Sequence, residues 1–177
     1  MAQKAIILDR DGTIIIDKVY LNDPNQIEYL PRSFAALQML RDAGYTFFIA
    51  TNQSGVARGI VEIGNLYEIH RRIRADFCRH GVDILGFYYA PYMTDTDHYM
   101  RKPNPGMLFA AATDFNIDLR ASWMIGDRLT DVEAGHRAGC KTVLLESSDK
   151  PDPARFRPPE IVAADLFEAA LSILQQS

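Results

Sequence analysis

The chain has 177 residues, 47% of them hydrophobic and 24% charged, and carries a net charge of −4. Those figures suit one soluble globular domain, residues 1–177, with a sizeable core, and they argue against a polyanion such as nucleic acid as the main partner. Cys78 and Cys140 make no CxxC pair, and neither a secretory leader nor a long apolar run is present; a reduced, cytoplasmic chain without a membrane partner is the expectation.

Apolar runs alternate with amphipathic ones along the chain, the pattern of βαβ units and a parallel sheet with helices on both faces. A strand over 5–8 (AIIL) runs straight into Asp9, Asp11, Gly12 and Thr13. A helix over 34–43, closed by Gly44, leads to a strand over 46–51 that ends in Thr51 and Asn52. In the helix expected over 63–79, Leu66, Ile69, Ile73 and Phe77 form one stripe. The arginines of HRRIRADFCRH then fall on a solvated outer face, which disfavours a nucleic-acid patch. A strand over 86–90 precedes a loop ending in Arg101 and Lys102. Asn104 reads as the cap, and Pro105 as the first residue, of a helix over 105–115. A strand over 123–126 delivers Asp127 and, in the next helix (130–138, closed by Gly139), Asp131. A strand over 142–145, a Pro-rich surface connection over 147–159 and a helix over 166–174 capped by Asp165 complete the chain.

The polar residues cluster at strand ends, where ligands of open parallel sheets bind. Asp9, Asp11, Asp127 and Asp131 would repel one another in a crevice unless a cation sat between them. Magnesium takes oxygen ligands, typically one or two carboxylates together with substrate phosphate. Lys102 and the Thr51 hydroxyl add the fixed positive charge and directed donor that a phosphoryl group needs. The combination reads as a phosphoryl-transfer site.

The ordered motifs DxDGT (Asp9 to Thr13), TN (Thr51, Asn52), Lys102 and GDxxxD (Gly126 to Asp131) resemble the haloacid dehalogenase (HAD) superfamily over about residues 5–145. The resemblance implies a Rossmann-like sheet and an aspartyl-phosphate mechanism. Asp9 would be the nucleophile and Asp11 the general acid and base. Magnesium would be held by Asp9, the backbone carbonyl of Asp11 and Asp127. Thr51 and Lys102 would bind the phosphoryl oxygens, and Asp131 would support Lys102 or the metal. The stretches between Asp11 and Thr51 and between Asn52 and Lys102 are too short for a cap domain. A non-catalytic phospho-acceptor module fits poorly: such domains carry their acceptor at the third strand, with no acid two residues beyond it.

LDRDGT, NQSGVARG and RKPNPGM resemble the histidinol-phosphate and heptose-bisphosphate phosphatases more narrowly. That likeness implies release of the 7-phosphate of a heptose bisphosphate, with Asp17, Tyr20, Asn52, Gln53, Ser54, Arg101 and Arg128 around the sugar and distal phosphate. Histidinol phosphate or a broader set of sugar phosphates are the alternatives. A monomer is expected. The chain departs from this family at its zinc-bearing loop, where the ligand positions carry Ala90, Tyr92, His98 and Met100. A zinc site needs four ligands, so no zinc is expected; packing of Tyr89, Tyr92 and Tyr99 is expected to order the loop, with His98 a surface residue.

Overall fold

The four apolar residues Ala5–Leu8 (β1) lie at the centre of a six-stranded sheet, and all four are fully buried. A strand covered on both faces needs no polar alternation. Ile6 and Leu8 enter one core cluster, Ala5 and Ile7 the other. β2 (Thr46–Asn52) and β4 (Trp123–Gly126) flank β1 in parallel. Outside them lie β3 (Ile84–Ala90) on one side, and β5 (Lys141–Leu145) and β6 (Ile161–Ala163) on the other. The order is β3-β2-β1-β4-β5-β6, parallel throughout. The direction of winding reverses between β1 and β4, and beyond such a switch point a ligand crevice opens. This computed structural model describes residues 2–146 and 156–176.

The helices are α1 (Ser33–Asp42), α2 (Ser54–Ala57), α3 (Ile63–Arg79), α4 (Gly106–Phe115), α5 (Leu129–Ala138) and α6 (Leu166–Leu174). Leu37 and Leu40 of α1, Ile73 and Phe77 of α3, and Leu166 and Ile173 of α6 pack on one face of the sheet. Met107, Leu108 and Ala111 of α4 cover the other, with Ala138 at the end of α5. The stripe read on α3 is fully buried. Only a turn of 3-10 helix and α1 separate β1 from β2, and only α2 and α3 separate β2 from β3. Among the described residues, no cap domain is inserted in either stretch. Among the described residues, no helix is long and apolar enough to cross a membrane.

One local expectation needs correction. α4 starts at Gly106, one residue after the expected Pro105, and Asn104 does not cap it. Its amide instead donates to Asp97 Oδ1 (2.7 Å) and to the His98 carbonyl (3.1 Å), bracing the preceding loop. The sequence reading missed α2 and β6, a single helical turn and a three-residue strand, both too short for a periodic signal. Most of the connection expected over 147–159 falls at 147–155, outside the described residues. Asp165 does cap α6, accepting from the Glu168 amide at 2.9 Å.

Because Ile7 fills a fully enclosed position in the central strand, Ile7→Ala is expected to cost about 2–5 kcal/mol. The check is a lowered urea midpoint at unchanged denaturant slope.

Candidate active site

Four strand ends meet at the switch point. Asp9 and Asp11 follow β1, Thr51 and Asn52 end β2, Lys102 lies in the loop after β3, and Asp127 and Asp131 follow β4. Carboxylate oxygens of the buried Asp9, Asp127 and Asp131 lie within 4.8 Å of one another. The Lys102 ammonium, 2% exposed, donates to Asp9 Oδ1 at 2.9 Å, to the Ala50 carbonyl at 2.7 Å and pairs with Asp131 Oδ1 at 2.6 Å. These contacts account for all three of its N–H donors. Burial lowers the Lys102 pKa, but Asp131 and Asp9 outweigh it and hold the amine at about 12.

Local sequence explains how each group arrives. Asn52 clamps the Lys102 backbone from both sides, donating to its carbonyl (3.0 Å) and accepting from its amide (3.1 Å). Asp131 stands in the first turn of α5, and its Oδ2 accepts from the Arg128 amide at 3.0 Å, a carboxylate at the positive end of a helix. Two glycines are obligatory for close approach. A Cβ on Gly126 would sit 2.1 Å from Asp131 Oδ2. One on Gly12, whose φ is +79°, would sit 2.4 Å from Asp127 Oδ2.

Asp11 occupies a different environment, although only one residue separates it from Asp9. Arg10 grips its carboxylate through Nε (3.1 Å to Oδ2) and Nη2 (2.8 Å to Oδ2, 3.0 Å to Oδ1). Gln53 Nε2 adds a bond to Oδ2 at 2.9 Å and another to Thr51 Oγ1 at 2.9 Å. Thr51 thus accepts from Gln53 and keeps its own hydroxyl hydrogen for a ligand. Burial raises the Asp11 pKa, with Arg10 opposing and Asp9 adding to the rise.

The seven residues expected around the substrate, Asp17, Tyr20, Asn52, Gln53, Ser54, Arg101 and Arg128, all line one cavity of about 450 Å³ together with Asp9, Asp11 and Lys102. Their contacts differ from a simple substrate shell. Asn52 and Gln53 direct their amides to Lys102, Asp11 and Thr51, holding the machinery in place. Asp17 accepts from Arg128 Nη2 at 3.3 Å and from the Val19 amide at 2.7 Å. Arg101 donates to the Tyr92 carbonyl at 3.3 Å.

His98, expected at the surface, is half-buried. Its ring stacks on Tyr92 with centroids 3.6 Å apart, and its Nδ1 accepts from the Met100 amide at 3.1 Å. This stack and the Asn104 brace order the loop. Tyr89 takes no part, because its hydroxyl pairs with that of Tyr67 on α3 at 2.8 Å. Arg10 went unread in the sequence, although an arginine between two acids just after an apolar strand is itself a signal.

Charge decides what this site can hold. One ammonium faces three carboxylates, and Asp127 takes the consequence: burial first, then Asp9 and Asp131, push its pKa up to about 7, with Arg128 opposing. An all-oxygen, net-negative donor set fits a hard divalent cation such as magnesium. Asp9 and Asp127 are the side chains placed to hold it, since Asp131 is engaged by Lys102 and the Arg128 amide.

Fold and donor set together define a capless phosphatase of the HAD-like hydrolases. Comparison with known proteins bears this out. A family model described as HAD-hyrolase-like matches residues 99–169. The D-glycero-beta-D-manno-heptose-1,7-bisphosphate 7-phosphatase of Pasteurella multocida is 39% identical over 155 residues, 84% of each chain. The corresponding alpha enzyme of Campylobacter jejuni is 34% identical, covering 89% of this chain and 90% of its own. The crystal structure of D,D-heptose 1,7-bisphosphate phosphatase from B. bronchiseptica, complexed with magnesium and phosphate, superposes with a TM-score of 0.87 at 33% identity. That match covers 99% of this chain and 100% of the other. The chain belongs to the HAD-like hydrolases, in the family of these D-glycero-D-manno-heptose-1,7-bisphosphate 7-phosphatases.

The raised Asp127 pKa has a defined consequence for stability. The native state holds a proton that the unfolded chain releases near the ordinary carboxylate value, so metal-free stability falls as pH rises toward about 7. Magnesium meets the ionised carboxylate only above that window. The Tm gain on adding magnesium to chelator-treated protein is therefore expected to be larger at about pH 8 than at about pH 5. Thermal melts at the two pH values check this; equal gains would contradict the assignment of Asp127.

Proposed function

We propose that this chain is a magnesium-dependent phosphomonoesterase that removes the 7-phosphate of D-glycero-D-manno-heptose 1,7-bisphosphate through an aspartyl-phosphate on Asp9. The observation that carries the mechanism is the pair of carboxylates one residue apart with different partners, Asp9 against Lys102 and Asp11 against Arg10. Such a split assigns two acids two roles.

Asp9 Oδ1 accepts from Lys102, which leaves Oδ2 as the oxygen that attacks phosphorus. Bond formation to Oδ2 accompanies rupture of the P–O bond to the sugar C7 oxygen, and Asp11 delivers a proton to that oxygen. Asp11 then takes a proton from the water that attacks the acyl phosphate, freeing inorganic phosphate and regenerating the Asp9 carboxylate. Oδ2 of Asp11 already accepts from Arg10 and Gln53, so Oδ1, which accepts one bond, is the atom that exchanges the proton. Thr51 donates its hydroxyl hydrogen to a phosphoryl oxygen. Lys102 contributes fixed charge, and a phosphoryl oxygen arriving at Asp9 competes for the N–H now on Asp9. Asp9 and Asp127, with the Asp11 backbone carbonyl that the family resemblance implies, would hold magnesium, which would supply further positive charge against the phosphoryl oxygens.

The bisphosphate reading is supported by the named relatives and by Arg101 and Arg128 lining the same cavity as Asp9. Asp17, an acid at the same cavity, pairs with Arg128 in an exposed contact at 3.3 Å, so histidinol phosphate is the competing substrate that the assay includes.

Asp9→Asn is expected to abolish turnover while the protein stays folded. Asp11→Asn is expected to lower kcat by about 10²- to 10⁴-fold. Phosphate release measured side by side on both anomers of the bisphosphate and on histidinol phosphate should show a bisphosphate preference. Comparable slow rates on all three would discard the substrate and keep the chemistry.

The Arg128 side chain makes a different prediction. Arg128→Ala is expected to raise KM for the bisphosphate by about 10- to 100-fold and to spare simple monophosphates. An equal loss on both would move Arg128 to the reacting phosphate.

A further inference from the structure

Arg10 is the largest fully buried side chain of the described residues, 1% exposed. It lies inside the motif that supplies both acids, yet none of its contacts is with Asp9 or the cavity-lining cations. Its Nε and Nη2 clasp Asp11, and its Nη1 lies 3.2 Å from His70 Nε2. Arginine only donates, so His70 Nε2 accepts and the imidazole is neutral, its proton on Nδ1. Burial, with Arg10 and then Arg74 nearby, lowers the His70 pKa to about 3, in keeping with that tautomer.

His70 is itself fixed. It sits on α3 between Ile69 and Ile73, and its ring stacks on Phe87 of β3 at 4.8 Å. A continuous path therefore runs from the packed seam of α3 and β3 through His70 to Arg10 and on to the carboxylate. We propose that Arg10 and His70 are positioning residues for the proposed phosphatase reaction: a buried brace that holds the Asp11 carboxylate in one orientation through both of its proton transfers.

The need for such a brace follows from chemistry. A carboxylate that gives a proton to an alkoxide and then takes one from water must present the same oxygen twice. A lone aspartate rotates about χ2, whose wells are broad. A planar guanidinium bonded to both oxygens suppresses that rotation. An arginine without a second partner could swing with the carboxylate, and the His70 acceptor removes that freedom.

The inference rests on Asp11 being the acid and base, and the experiment separates the two. Turnover and rapid acid quench are followed with ³²P-labelled p-nitrophenyl phosphate, whose leaving group needs no proton. Slowed water activation then makes the phosphoryl-aspartate accumulate. His70→Leu, which removes the acceptor, is expected to lower kcat by about 10- to 100-fold, to leave substrate binding unchanged, and to accumulate phosphoenzyme. His70→Gln, which restores an acceptor, is expected to recover most of the rate. Arg10→Lys, which keeps the charge and loses the fork, is expected to behave like His70→Leu, and it carries the test if His70→Leu does not fold. Wild-type kcat in a folded His70→Leu or Arg10→Lys protein overturns the brace. So does a loss of activity without phosphoenzyme accumulation, the result of a merely structural role. Full turnover in Asp11→Asn would instead overturn the reading of Asp11 on which the brace depends.

Discussion

The site depends on one buried ammonium. Lys102 is withdrawn from water between Asp9 and Asp131, with the Ala50 carbonyl as its third acceptor. Any of these charges buried alone would be costly, and removing one partner of such a pair typically costs about 3–5 kcal/mol. Together they join the loop after β3 to the ends of β1 and β2 and to the first turn of α5. The same contacts that neutralise the crevice therefore hold its walls together. The compensation is incomplete: Asp127 is left buried in a field of like charge, and burial first, then Asp9 and Asp131, raise its pKa. A divalent cation makes up the difference, so metal affinity and the cohesion of the sheet edge have one electrostatic origin.

Asp9 and Asp11, one residue apart, have different hydrogen-bond partners. Asp11 has its own counter-charge, Arg10, and its own donor, Gln53. One group of side chains comprises Asp9, Asp127, Asp131 and Lys102, and the other Asp11, Arg10, Gln53 and His70. Divergent environments for neighbouring carboxylates are how one fold separates a nucleophile from a proton carrier. Thr51 belongs with the second group, accepting from the Gln53 amide.

What could be read in the sequence follows from this layout. β1, β2 and β4 were legible because central parallel strands are unbroken apolar runs, and the acids stood out because nothing but a site explains them at the ends of such strands. Arg10 and His70 were not legible as a pair: they are 60 residues apart, and the histidine lies within a helix whose stripe reads as ordinary core. Asn52 and Gln53 were placed at the right edge, but their bonds to Lys102, Asp11 and Thr51 were not read, because sequence says which strand end a residue occupies and not which neighbour its amide meets. His98 was misread for a related reason. The residues around it carry no periodic pattern that would predict the stack on Tyr92.

The two halves of the cavity differ in stiffness. Groups assigned to the reacting phosphate are buried, multiply bonded and carried on strand ends. Those assigned to the sugar and distal phosphate are held loosely: Arg128 is 53% exposed and pairs with Asp17, itself 33% exposed, at 3.3 Å. An ion pair of that kind contributes little, about 0–1 kcal/mol, so an incoming anion displaces Asp17 from the guanidinium at small cost. Arg101 donates to the Tyr92 backbone, so the aromatic stack that orders this loop also sets where its cation lies. The groups assigned to chemistry are thus fixed by the sheet, whereas the two arginines assigned to the distal phosphate sit in exchangeable contacts, one of them set by the Tyr92–His98 stack.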